Sequence, residues 1–172
     1  MLKRILEDDK MKKGIASYMS IMKLASESNI NNEFKKKYKS FYVMHVARFS
    51  DHFYEQYFDY LKTHINEDNI TFDMVYEYIK NIHLKRQPSF SSKLLHTINP
   101  NNPIYDSKVL RSLNITGKDP YYKYAIICEW YQKFNDTEEE HIWTNEFDNA
   151  YPEAKNITKV KKIDFILWRK PN

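Results

Sequence analysis

The chain has 172 residues, of which 42% are hydrophobic and 16% aromatic, a composition that supports a buried core and excludes intrinsic disorder. Glycine occurs only at Gly14 and Gly117, which argues against a meander of tight β-hairpins and against a glycine-rich nucleotide-binding loop. The formal net charge of +4 is compatible with a polyanionic partner but too small to indicate one. We therefore expect one compact all-α domain spanning residues 1–172.

Residue types that bind metals or mark secretion form no recognisable pattern. Cys128 is the only cysteine, and no CxxC or HExxH sequence predicts a zinc site. The N-terminal stretch mixes charges with short apolar pieces and lacks the continuous apolar core of a signal peptide or a membrane span. We expect a cytoplasmic protein without membrane association and without a metal or organic cofactor.

Apolar residues at helical spacing predict helices along the first half of the chain. One helix is expected over about residues 9–28, and another over about 34–49, with an irregular piece around 41–44. Ser50 and Thr71 precede the next two helical patterns and are the predicted N-caps of those helices.

The second half also has helix signals. Asp119 followed by Pro120 predicts a helix start, because aspartate caps well and proline fits the first turn. A further helix is expected over about 137–151, with acidic residues in its first turn. The residues predicted to form a C-terminal flap packed back on the core are Phe165, Ile166 and Trp168.

The segment at about 79–115 has a helix-hairpin-helix pattern. A helix is followed by a short basic hairpin at 85–90, which Pro88 stiffens. A second helix is predicted over about 91–98, and after a proline-bounded loop a third helix begins at Asp106. The hairpin presents the start of the second helix, where free backbone N–H groups suit a phosphate.

This order of elements resembles the core of the helix-hairpin-helix DNA glycosylase superfamily, which includes 8-oxoguanine glycosylases and endonuclease III-like enzymes. In that superfamily a lysine followed by apolar residues opens the helix after the hairpin, and an apolar-Asp-x-x-Val pattern opens the next helix. The matching residues here are Lys93-Leu94-Leu95 and Ile104-Tyr105-Asp106-Ser107-Lys108-Val109. The similarity covers about thirty residues.

The resemblance implies an enzyme that binds double-stranded DNA, flips out a damaged or modified base and hydrolyses its N-glycosidic bond. Such an activity would serve DNA repair or defence against modified phage DNA. By the same resemblance Asp106 is the catalytic carboxylate, and Lys93 is the nucleophile of members with an associated lyase activity. The expected DNA contacts are Lys85, Arg86, Ser89, Ser91, Ser92 and Lys108. The expected pocket for the flipped base includes Tyr42, His96, Tyr105 and Trp168.

A carboxylate suits this chemistry because breaking the N-glycosidic bond builds positive charge on the sugar. The same residues also have structural interpretations, since Asp106 before a helix is what an ordinary N-cap looks like and Lys93 is compatible with a solvated lysine. Two further functions therefore stay open. The chain could be a helix-hairpin-helix protein that binds DNA without catalysis, or a small helical interaction or inhibitor protein.

Overall fold

The computed structural model describes residues 1–83 and 85–170, and within these ranges the chain forms helices and no strand. The all-α prediction is confirmed. Two 3₁₀ helices, Met44–Ala47 and Pro152–Ala154, accompany the α-helices. Among the described residues, none of the helices is both long enough and apolar enough to cross a bilayer. The α-helices are α1 (Leu2–Leu6), α2 (Asp9–Ser26), α3 (Asn32–Phe41), α4 (Asp51–His64), α5 (Phe72–His83), α6 (Pro88–Ile98), α7 (Ser107–Ser112), α8 (Pro120–Phe134), α9 (Glu138–Ala150) and α10 (Lys159–Arg169).

The helices belong to two compact units. Unit 1 consists of Met1–Lys13 and Pro100–Asn172, and unit 2 consists of Gly14–Asn99. The segment predicted as helix-hairpin-helix contributes to both, because α5 and α6 belong to unit 2 and α7 belongs to unit 1.

Unit 2 is built around helix α6. This helix packs against α4 and α5, and its residues from Ser91 to Ile98 are all buried. An aromatic cluster surrounds it, with the fully buried rings of Tyr38 and Tyr57 among its largest members. Five of these eight buried residues are polar, so the burial of α6 follows from the helices that cover it and not from its own sequence period.

Unit 1 is organised by helix α10, which packs on α1, α7 and α9. The segment that the sequence predicted to be a flap packed back on the core is a regular helix, and Thr158 caps it by accepting a hydrogen bond from the Lys161 N–H at 3.3 Å. Phe165 and Ile166 are buried as expected, whereas Trp168 is 37% exposed.

The predicted helix starts are confirmed at three positions. Ser50, Thr71 and Asp119 each precede a helix, and each side chain accepts a hydrogen bond from a backbone N–H two or three residues further on. These bonds satisfy N–H groups that the first helical turn leaves without an internal partner.

The predicted irregular piece after α3 is also confirmed. The helix ends at Phe41, and Val43 adopts a left-handed backbone conformation with φ of 54°. A β-branched residue is rare in this region, where its side chain approaches the backbone closely. The break turns Met44 and Phe49 inward, and both are buried.

Candidate functional site in two parts

Asp106 is held in a fixed position at the N-terminus of α7. Its carboxylate accepts a hydrogen bond from the Lys108 N–H at 2.9 Å, and the residue is half-buried. Ile104 and Tyr105 before it and Val109 after it are buried. The buried residues on both sides of Asp106 anchor its backbone, and its carboxylate lies at the surface of unit 1.

The loop that leads to Asp106 is fixed by two hydrogen bonds within unit 1. The Tyr124 hydroxyl donates to the Pro103 carbonyl at 3.1 Å, and the Thr158 hydroxyl donates to the Pro100 carbonyl at 2.9 Å. Burial raises the pKa of Tyr124 well above its usual value, so its hydroxyl stays protonated and remains a donor. The loop therefore has little freedom to move Asp106.

Two predicted site residues, Lys108 and Trp168, meet where α7 packs against α10. The Lys108 ammonium lies 3.6 Å from the centroid of the Trp168 ring, and Asp106 is two residues away from Lys108. Ser112 ties the two helices together by donating its hydroxyl to the Leu167 carbonyl at 2.9 Å. Within the described ranges Asp106 forms no ion pair, so its negative charge is not neutralised by a neighbouring side chain.

Lys93 belongs to unit 2 and has different surroundings. It is 8% exposed, and its ammonium lies 4.9 Å from the centroid of the Phe90 ring and 5.5 Å from that of Tyr42. Aromatic faces attract a cation through their negative quadrupole. Lys93 and Asp106 belong to separate units, and Lys93 is the one of the two for which aromatic contacts are observed.

The start of α6 differs from the predicted one. The helix begins at Pro88, three residues before the expected start, so Lys93 lies in its second turn. Ser91 and Ser92 are buried, and their hydroxyls donate to the backbone carbonyls of Gln87 and Ser89 at 2.8 and 3.0 Å. The prediction that Ser91 opens this helix at an exposed N-terminus is wrong, because proline is well suited to the first helical position.

The remaining predicted residues have mixed exposure. Lys85 and Arg86 are exposed and Ser89 is half-buried, while Leu84 between α5 and this segment lies outside the described residues. Among the expected pocket residues, Tyr42 and Tyr105 are buried.

His96, the remaining pocket residue, is fully buried. Its Nε2 is 2.9 Å from the Tyr18 hydroxyl, and the two rings are 5.8 Å apart. This hydrogen bond gives the buried imidazole a polar partner, as burial requires.

One group of residues able to hold a metal was not predicted. Asp136, Glu140 and His141 each offer a ligand atom, and these atoms lie within 4.8 Å of one another. The Lys159 ammonium is 3.2 Å from Glu140 and 3.5 Å from Asp136, and the hydrogen bond to Glu140 raises the pKa of Lys159. A resident ammonium neutralises these carboxylates, so the geometry favours an ion-pair network. The run of acidic residues before His141 was a sequence signal that could have indicated this group. The pairing with Lys159 could not be predicted in the same way, because Lys159 belongs to another helix.

A cavity of about 410 Å³ opens in unit 1 and was also not predicted. The Tyr131 hydroxyl in its wall is buried and has no hydrogen-bond partner within the described ranges. Burial raises the pKa of Cys128 in the same wall, so this residue is a neutral thiol and a poor nucleophile at neutral pH. The volume is in the range of small-molecule sites. The other lining residues are Asn101, Asn102, Pro103, Gln132, Asn135, Lys159, Val160 and Ile163.

Comparison with known proteins gives no match. No family model fits the chain, and no curated protein and no solved structure is significantly similar to it.

Proposed function

We propose that the chain is a DNA glycosylase that flips out a damaged or modified base and hydrolyses its N-glycosidic bond. The observation that supports this proposal best is the state of Asp106. Its carboxylate is half-exposed, forms no ion pair within the described ranges and is fixed by the Lys108 N–H. The reaction builds positive charge on the sugar, and a fixed, solvent-facing carboxylate can stabilise that charge. Asp106 also belongs to the sequence pattern that resembles the glycosylase core.

The proposed reaction needs only this carboxylate and a water molecule. The bond between the sugar C1′ and the base breaks, and positive charge develops on the sugar. Asp106 stabilises that charge and accepts a proton from the attacking water, whose oxygen bonds to C1′. The proton passes to the departing base, and the products are a free base and an abasic site.

Trp168 and Lys108 support DNA as the substrate. An exposed indole beside a lysine ammonium offers a stacking surface for a base together with a positive charge for a phosphate. Both residues belong to the same unit as Asp106. Extrusion of a base exposes its faces, so a stacking surface in the same unit as the carboxylate stabilises the flipped state.

Lys93 has a secondary role in this proposal. Its ammonium contacts two aromatic rings and is 8% exposed, so attack on a sugar requires this side chain to leave the rings. We test this role by borohydride trapping with Lys93→Arg as the variant. If the wild-type chain forms a trapped complex and the variant does not, Lys93 is supported as a lyase nucleophile. If the wild-type chain forms no trapped complex, Lys93 has only a supporting role.

The activity is tested with duplexes that carry oxidised, alkylated, deaminated or glycosylated bases. Release of a free base by the purified chain supports the proposal, with Asp106→Asn as the inactive variant. Asn is also a good N-cap, so this change removes the charge and keeps the helix start. Asp119→Asn is the matched control, because Asp119 caps α8 through a backbone N–H two residues on, at the same 2.9 Å distance. Failure to release any base from the whole panel would contradict the proposal.

A second candidate is a DNA-binding protein without catalysis, and the near-complete burial of Lys93 favours it. It predicts that Asp106→Asn binds DNA as well as the wild-type chain and that neither protein releases a base.

A further inference from the structure

Helix α3 carries positive charge that the protein does not neutralise. Four of its ten residues are lysines. Lys37 pairs with Glu33 at 2.7 Å, but Lys35, Lys36 and Lys39 form no ion pair within the described part of unit 2. Uncompensated cations on one helix create a positive local potential that attracts anions.

These lysines border a groove of about 460 Å³ on unit 2. The residues that line it are Asn32, Lys35, Lys36, Lys39, Ser40 and His45. Every one of these side chains can donate a hydrogen bond, and none is a carboxylate. Amide, hydroxyl, lysine and similar donors are the groups that contact phosphate oxygens in protein–DNA complexes.

Two of the lysines are held in position by aromatic rings. The Lys39 ammonium lies 4.7 Å from the centroid of the Tyr54 ring, and the Lys35 ammonium lies 5.6 Å from that of Phe58. The same rings and the carboxylates of Asp51 and Glu55 border a separate cavity on the other side of these two lysines. The ammonium groups of Lys35 and Lys39 therefore lie against rings that border that second cavity, whereas Lys36 lines the groove and is exposed to solvent.

The loop at the end of the groove presents two apolar side chains to water. Val43 is 50% exposed and Val46 is 69% exposed, and they flank His45 of the groove. The left-handed conformation of Val43 and Arg48 defines the two ends of this loop. Removing exposed apolar side chains from water lowers the free energy. In DNA, the apolar surfaces next to the phosphate backbone are the faces of the bases.

We propose that the α3 groove binds the phosphate backbone of DNA and that Val43 and Val46 contact the bases of the same DNA. This inference rests on DNA being the partner in the proposed function, but it concerns a surface separate from Asp106. A groove lined by hydrogen-bond donors and free of carboxylates suits the phosphate oxygens of a nucleic-acid strand. Lys36 offers its ammonium to the first phosphate, and Lys35 and Lys39, one helical turn apart, contact neighbouring phosphates after their ammonium groups leave the Phe58 and Tyr54 rings.

The test measures binding of the full chain to an unmodified fluorescent duplex over a series of salt concentrations. The variant Lys35→Gln/Lys36→Gln/Lys39→Gln is expected to bind at least tenfold more weakly at low salt and to reduce the slope of log K against log salt by about 2 to 3. The matched control is Lys10→Gln/Lys12→Gln/Lys13→Gln, which removes three exposed lysines from α2. Equal losses in both variants would overturn the proposal.

Two single-residue variants test the groove and the loop separately. Lys36→Gln leaves the ring contacts of Lys35 and Lys39 unchanged, so it tests the groove even if the triple variant does not fold. It is expected to reduce the slope of log K against log salt by about 1. Val46→Ser is expected to abolish the fluorescence increase of a 2-aminopurine probe that unstacks on binding, while Ile142→Ser, at a residue 50% exposed, preserves it. Binding to phosphatidylserine vesicles without binding to the duplex would overturn the DNA assignment.

The two proposals fail in different ways. Base release with the salt dependence unchanged in the lysine variants would overturn the groove and leave the glycosylase. Weaker DNA binding in those variants without base release by any form of the chain would overturn the glycosylase and support the groove.

Discussion

The Tyr57 hydroxyl donates a hydrogen bond of 2.9 Å to the backbone carbonyl of Phe90, and so connects α4 to the first turn of the helix that carries Lys93. Tyr57 also accepts from the Tyr38 hydroxyl at 2.9 Å, and both tyrosines are fully buried. Burial raises the pKa of both phenols, which keeps them protonated as donors. The chain of hydroxyls satisfies polar groups inside an otherwise aromatic core.

Removing the middle member of this chain should destabilise the protein. Tyr57→Phe leaves the Tyr38 hydroxyl without its acceptor and the Phe90 carbonyl without this donor, so we expect the free energy of unfolding to fall by about 1–3 kcal/mol. Urea denaturation followed by circular dichroism measures the change. Tyr122→Phe is the control, since Tyr122 is 60% exposed, and it should leave the unfolding curve unchanged. Equal stability of the two variants would show that the buried bonds contribute nothing.

The ion pair between Asp8 and Arg169 predicts a dependence of stability on pH. The hydrogen bond from Arg169 is the main cause that lowers the pKa of Asp8 below its usual value of 3.8. A lowered carboxyl pKa contributes stability above the unfolded-state value, and this contribution is lost as the pH falls through the folded-state value.

We therefore expect Asp8→Asn to lower the melting temperature at pH 7 and to have little effect well below pH 3.8. Asp9→Asn removes a neighbouring exposed carboxylate that has no ion pair within the described ranges, and it serves as the control. The prediction fails if Asp8→Asn lowers the melting temperature equally at both pH values.

The hydrogen bond from Tyr124 to Pro103 should matter for activity. Tyr124→Phe removes the donor that holds the loop before Asp106, so the carboxylate is less well positioned. We expect the rate of base release to fall several-fold with little change in DNA affinity, measured under single-turnover conditions. Tyr122→Phe again provides the control. A loss of affinity with an unchanged rate would contradict a positioning role.

Trp168 should contribute to binding of the flipped base. Loss of one base-stacking contact costs about 1–3 kcal/mol, so Trp168→Ala is expected to weaken binding of substrate DNA by roughly 5- to 150-fold. Trp168→Phe should retain most of the affinity because it keeps an aromatic face. Trp130→Phe changes a half-buried indole that stacks on Phe134 and should have no effect on binding.

Much of the helical architecture could be predicted because its signals are local. Ser50, Thr71 and Asp119 accept hydrogen bonds from nearby backbone N–H groups, and such short-range bonds depend on residue type and position. The C-terminal helix was missed because its polar residues are buried in ion pairs. Lys161 and Asp164 pair at 2.7 Å inside unit 1, so polar residues occur on the buried side of this helix and obscure its apolar period.

The site could be predicted only in part. The N-cap position of Asp106 follows from its place before α7, but the packing of Lys108 on Trp168 joins residues 60 positions apart and leaves no sequence pattern. The burial of Ser91 was missed for a related reason. It depends on α4 and α5 covering α6, and serines read alone suggest an exposed surface.

The role of Asp106 is tested most directly by the single-turnover rate of base release from a duplex that the wild-type chain cleaves. General acid–base and electrostatic roles of this kind contribute about 100- to 10,000-fold, so Asp106→Asn should be at least about 100-fold slower while still binding the duplex. Asp119→Asn should react at the wild-type rate. A rate for Asp106→Asn within twofold of the wild-type rate would contradict the role of this carboxylate in catalysis.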